Sequence, residues 1–191
     1  MDPGFYAYFP RRMKYYHQKA KGRRAAPREK ERIEMMWTKK EQSFLKDLQN
    51  EESVCIDKYG KAAQEACDEK LKGIFDTIKT AEQHHYNTLT QMLDGTIPQQ
   101  QGQQGKKQGG AQNAKKPKDL KSTASRAGKQ QDAYLLSDLL GTEKYVSSVY
   151  NTAVFEFSDE NARQVLAGIQ QQEQEHGKQL SEYMQANNMY C

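Results

Sequence analysis

Apolar side chains recur at steps of three and four along four stretches of the chain, and the recurrence stops outside them. The first stretch sets Leu45, Leu48, Glu52, Cys55, Tyr59, Ala62 and Ala66 on one seam, and the second sets Leu71, Phe75, Ile78, Glu82, His85, Leu89 and Met92 at the same rhythm. The third reads Leu136, Leu139, Glu143, Val146, Tyr150, Ala153 and Phe157, and the fourth Ala162, Leu166, Ile169, Glu173, His176, Leu180 and Tyr183. This spacing lines one face of an α-helix, so four amphipathic helices packed through their seams are predicted. Thr38-Lys39-Lys40-Glu41 has capping-box spacing and marks the start of the first. Cys67-Asp68 and Ser158-Asp159 read as turns within two helical hairpins, with Asp or Ser capping each returning helix.

The second hairpin repeats the first. At an offset of 91, residues 45–93 align with 136–184 without a gap, and 14 of the 49 pairs are identical, among them Glu52/Glu143, Tyr59/Tyr150, Glu82/Glu173 and His85/His176. Chance matching in this composition gives only a few, so the chain holds an internal duplication. The predicted fold is all-α, a ferritin-like four-helix bundle made of two duplicated hairpins joined by a long crossover linker.

The strongly polar residues on the seams are Glu52, Glu82, His85, Glu143, Glu173 and His176. Glu52 and Glu82 lie equally far from the turn at residue 67, and Glu143 and Glu173 equally far from residue 158, so each hairpin brings two carboxylates to one level. Each His follows its Glu by three residues and shares its helix face. Packed about a pseudo-twofold axis, the hairpins would converge four carboxylates and two imidazoles mid-bundle. Four ionised carboxylates in a dry core need protons, water or cations. Two divalent ions would supply the charge, and mixed oxygen and nitrogen donors suit iron or manganese. A Glu from each of two helices and a Glu-x-x-His from each of the other two is the ligand pattern of dinuclear carboxylate bundles. Glu51, His84 and Glu175 lack matching residues in the other repeat and are left out of this set. Tyr59 and Tyr150, two turns beyond Glu52 and Glu143, are expected mainly to fill the core, with a bond to a ligating carboxylate as the alternative.

Charge separates the hairpins from their flanks. Counting Lys and Arg against Asp and Glu, residues 1–40 carry 12 against 4 and residues 94–131 carry 8 against 2, whereas residues 41–93 carry 6 against 10 and residues 132–191 carry 3 against 9. The expected organisation is a basic, aromatic N-terminal arm (1–37) with a short helix over Arg28–Trp37, hairpin 1 (38–94), a Gln/Gly/Lys-rich linker (95–131) and hairpin 2 (132–191). The linker's composition buries too little to offset its ordering entropy. No apolar run is long enough for a membrane span or signal-peptide core, so cytosolic synthesis is expected. Cys55 falls on a seam as a small core filler, while Cys67 and Cys191 are expected to be exposed and available for intermolecular disulfides.

Residues 132–190, through LLSDLL, YNTA and the EQEH helix, resemble the coat F family of bacterial spore-coat proteins, a ferritin-like group. Residues 39–93 resemble it more loosely, through FLKDLQNEE and HHYNTL. The resemblance implies manufacture in the mother-cell cytoplasm and deposition in the spore coat. The order Glu, Glu-x-x-His, Glu, Glu-x-x-His is also similar to that of bacterioferritins and rubrerythrins, which implies that Glu82 and Glu173 bridge two metals. The first functional reading is therefore a structural or assembly component of the spore coat, associating with itself or other coat proteins and holding a dinuclear site. Its Tyr-rich arm and Gln- and Lys-rich linker suit cross-linking. The alternative is a di-iron or di-manganese oxidoreductase acting on O2 or peroxide, by catalase-like peroxide removal or Fe(II) oxidation. A weaker third reading has the arm binding nucleic acid.

Overall fold

The computed structural model describes residues 36–98 and 120–190. The expected arm up to residue 35, residues 99–119 of the linker and Cys191 lie outside the described residues. Helices α1 (Lys39–Glu65), α2 (Glu69–Leu93), α3 (Arg126–Glu156) and α4 (Glu160–Ala186) make an all-α four-helix bundle of two hairpins. None of them is long and apolar enough to cross a membrane.

Local chemistry sets the helix ends. Thr38 and Glu41 form a reciprocal capping box at the start of α1, worth about 1 kcal/mol as caps go. Asp68 accepts from Lys70 N and Leu71 N to open α2, and Asp159 accepts from Ala162 N to open α4. In α3 the cap is Ser125, which accepts from Gly128 N. That helix therefore starts at Arg126, six residues before the expected start of hairpin 2. The apolar rhythm could not reveal this extra turn, because RAGKQQ contributes no apolar seam. It packs against the Cys67 turn, where Gly128 permits close approach: a Cβ there would stand 2.9 Å from Cys67 Cβ.

Contacts between α1 and α3 fix the relation of the hairpins. Glu41 meets Ser158, Glu52 meets Tyr150, Lys58 meets Thr142 and Cys67 meets Asp132. Numbers rise along one helix as they fall along the other, so the two are antiparallel. Hence α3 begins at the end of the bundle where α1 finishes, whereas α2 finishes at the opposite end, with Trp37 Nε1 donating to Met92 O at 2.7 Å. A single long crossover between α2 and α3 is the ferritin-like connection. Trp37, expected as the last residue of the arm, is buried and edge-on to Phe157 at 5.6 Å. The seams form one continuous core from Trp37 and Phe157 to Ala66 and Leu71. Cys55 is a buried filler as expected, its thiol held neutral by burial and the surrounding carboxylates. Cys67 is exposed.

Candidate metal centre

All six seam residues meet in the middle of the bundle, and all are buried. Glu52, Glu82, His85 and Glu173 form one group whose donor atoms lie within 4.8 Å of one another, and Glu82, Glu143, Glu173 and His176 form a second. Glu82 and Glu173 belong to both groups. The histidines reach across between hairpins: His85 Nδ1 on α2 lies 2.8 Å from Glu173 Oε1 on α4, and His176 Nδ1 on α4 lies 2.9 Å from Glu82 Oε1 on α2. Their rings stack at 5.8 Å. Glu51 is half-buried, and His84 and Glu175 are exposed.

The second hairpin supplies Glu143, Glu173 and His176. Residues 131–190 match the Coat F domain. No curated protein and no solved structure matches the chain. The Coat F match takes in all of α4 and all but the first five residues of α3. Half of the buried constellation therefore lies on the Coat F hairpin and half on its diverged repeat.

The tyrosines correct the expectation of plain core packing. Both rings are buried, but Tyr59 of hairpin 1 donates its hydroxyl to Glu143 Oε1, and Tyr150 of the Coat F hairpin donates to Glu52 Oε1. Burial, together with the neighbouring carboxylates, pushes both phenols well above their ordinary pKa, so they stay donors. Each tyrosine fixes one carboxylate oxygen of the opposite hairpin and leaves the other, Oε2, facing the centre.

One partner has no symmetric counterpart. Gln172 Oε1 lies 3.2 Å from His85 Nε2 and can accept a hydrogen bond from its N–H, which orients the ring with Nδ1 inward. The repeat equivalent of Gln172 is Ala81, so no amide occupies the matching place beside His176. Internal symmetry, the signal that found the six residues, could not find Gln172.

Sequence reasoning also missed a pair of braces at the ends of α1 and α3. Glu41 Oε1 accepts from Ser158 N and Oγ, both at 2.9 Å, while Asp132 Oδ1 accepts from Cys67 N at 2.7 Å. Positions 41 and 132 are 91 apart, as are 67 and 158, so each hairpin's first helix caps the turn of the other. Two acids four residues before Leu45 and Leu136 were the available signal.

The electrostatics follow from burial. Desolvation pushes the Glu52 carboxyl up to about 8 and the Glu143 carboxyl up to about 10, keeping both protonated near neutrality. Burial acts the same way on Glu82 and Glu173, but the two histidines outweigh it and hold both below the ordinary carboxylate range. Desolvation would depress the histidines, yet the carboxylates around them hold His85 up at about 12 and His176 up at about 10. Without metal the cluster thus contains two neutral carboxyls, two carboxylates and two imidazoliums, a neutral set carrying four exchangeable protons. Two divalent ions bring the charge that four departing protons remove.

The donor set fits such ions. Among the described residues, Glu52 Oε2, Glu82 Oε1, Glu143 Oε2, both Glu173 oxygens and His176 Nδ1 are buried without a hydrogen bond, although several lie at ion-pair distance from one another. Buried polar atoms are normally satisfied. Here five carboxyl oxygens and one imidazole nitrogen converge on a common centre, a geometry in which the chain can hold metal once protons leave.

Proposed function

We propose that the protein is a structural or assembly component of the spore coat whose bundle holds two divalent ions, iron or manganese. The Coat F match over residues 131–190 supports the coat assignment and association with other coat proteins; synthesis in the mother-cell cytoplasm is part of the same proposal. The observation carrying the metal reading is the pair of overlapping donor groups that share Glu82 and Glu173. In this reading Glu52, Glu82, His85 and Glu173 would hold one ion and Glu82, Glu143, Glu173 and His176 the other. Tyr59 and Tyr150 aim the terminal carboxylates, and Gln172 sets the His85 ring. The ions would neutralise the buried carboxylates and tie the hairpins together, contributing binding free energy to the folded state.

A second reading, a dinuclear oxidoreductase removing peroxide or oxidising Fe(II), draws on the ligand count. Each group offers four residues, and with one donor atom from each an octahedral ion would keep positions for a small ligand. Redox-active ions would supply polarisation of O2 or peroxide and electron transfer. Metal analysis of natively purified protein tests the first reading, and peroxide-removal and Fe(II)-oxidation assays on the same sample test the second. We expect two ions per chain. Fewer than one after anaerobic Fe(II) or Mn(II) loading sinks the dinuclear site, and metal without turnover leaves the structural role alone.

A further inference from the structure

The solvent face of α3 carries a second seam. Tyr134, Tyr145 and Phe155 are 75%, 56% and 83% exposed, among the most exposed large apolar side chains described. Between them stand the exposed small residues Ser137, Gly141, Ser148 and Thr152, so the seven positions advance in steps of three and four. That is the rhythm of a helix face made to pack, and it contains no charge.

Three hydroxyls of the seam are turned back onto the helix's own backbone. Ser137 Oγ donates to Ala133 O at 2.8 Å, Ser148 Oγ to Tyr145 O at 2.7 Å and Thr152 Oγ1 to Ser148 O at 3.2 Å, so the hydroxyls already have backbone partners. Gly141 has open space where a Cβ would stand, so nothing within the described bundle requires a glycine there. A mid-helix Gly costs roughly 0.5–1 kcal/mol relative to Ala, and without a side chain it leaves the face flat at this point.

The duplication supplies an internal control. At the positions of Ser137, Ser148 and Thr152, the outer face of α1 has Lys46, Asp57 and Lys61, and in place of Tyr134 and Phe155 it has Ser43 and Gln64. The same helix in the other copy is thus dressed for water except at Val54, which stands in the place of Tyr145 and is 50% exposed.

The seam is also symmetric along its length. About a midpoint between Lys144 and Tyr145, Tyr134 balances Phe155, Ser137 balances Thr152 and Gly141 balances Ser148. Laid antiparallel on itself, α3 sets aromatic against aromatic and small against small, as an isologous twofold contact requires. With about 200 Å² per aromatic side chain, the three expose roughly 400 Å², about half of what one partner buries in a standard interface. The small residues between them and the seam's flanks can supply the remainder.

We propose that a second copy of this chain docks on this seam, α3 against α3, antiparallel about a twofold axis near residues 144 and 145. The contact is independent of the metal reading. The test is sedimentation of the full chain under reducing conditions over a range of concentrations, with circular dichroism to check the fold of each variant. A dimer is expected. Tyr145→Glu and Phe155→Glu should each raise its dissociation constant on the order of 100-fold, while Lys61→Glu, at the matching place on α1, leaves it unchanged. In a Cys67→Ser, Cys191→Ser background, a mixture of Gly141→Cys and Ser148→Cys chains should cross-link on oxidation, and neither variant should do so alone. A monomer at every concentration overturns the proposal, whether residues 1–35 or another coat component covers the seam. A dimer that survives both Glu substitutions, or cross-linking by each Cys variant alone, overturns it equally.

Discussion

At positions 52 and 143, 59 and 150, 82 and 173, and 85 and 176 the two hairpins carry the same residues, and each pair makes reciprocal contacts across the bundle. On the outer faces of α1 and α3, Asp57 stands against Ser148 and Lys61 against Thr152. Inside, every group needs a partner from the other copy, so changing one strands another in a medium where an unpaired charge is costly. Outside, water satisfies either copy. The inner half of the fold is a closed set of mutual dependences, and the outer half is free to specialise.

The sharpest way to break the inner set is at the shared carboxylates. Glu82→Ala or Glu173→Ala removes a donor from both groups and should abolish loading of both ions, whereas Glu52→Ala or Glu143→Ala should cost one ion, all read by elemental analysis after anaerobic loading. In the metal-free protein, His85→Ala leaves buried carboxylates unpaired. A loss of about 3–5 kcal/mol in urea unfolding is expected, against less than about 0.5 kcal/mol for Asp57→Ala on the outer face.

The pH dependence of the metal-free bundle comes from the same contrast. Glu52 and Glu143 titrate above their ordinary 4.5, at about 8 and about 10, so the folded state retains protons that the unfolded chain releases. Stability falls as pH rises past 4.5 and levels off at those folded values. His85 and His176 also titrate above their ordinary 6.5, so their stabilising contribution is complete below 6.5 and fades toward pH 10–12. Glu82 and Glu173 act oppositely, losing their contribution as pH falls below 4.5. Urea midpoints of the apo protein should therefore decline from mildly acidic to alkaline pH, and metal should reverse the decline because its binding releases protons. A flat profile would show that the six groups are not titrating together.

Two smaller effects sharpen the comparison. Gln172→Leu should weaken the ion in the His85 group by about 10–100-fold and spare the His176 group, a split visible as two phases in calorimetric titration. Glu41→Gln and Asp132→Asn should each cost about 1–3 kcal/mol, in near-equal amounts if the braces are equivalent.

Much of this was legible in the sequence, because burial imposes a period and duplication imposes an offset. The four seams, the Thr38 box, the aspartate caps and the meeting of the six residues all follow from one or the other. What escaped had neither signal. Gln172 has only Ala81 at its equivalent position. Counting from each turn sets levels within a hairpin but cannot tell that Tyr59 would reach Glu143 rather than a residue of its own hairpin. Glu41 read as half of a capping box because sequence assigns a carboxylate one task, whereas its second oxygen holds the Ser158 turn. Trp37 stands one residue before a helix cap, and nothing local says that its indole closes the end of the core.

The exchange of Tyr59, His85 and their counterparts between hairpins has a consequence for how the centre comes into being. Neither donor group can be completed by one hairpin, so a free hairpin of this kind would have to find another, and the amount of finished centre would depend on protein concentration. Covalent connection of the two copies turns that encounter into an intramolecular one at a fixed effective concentration. Each chain can then bring its six donors together alone, however dilute it is, and on the proposed metal reading its metal content would count the chains whose two halves have met.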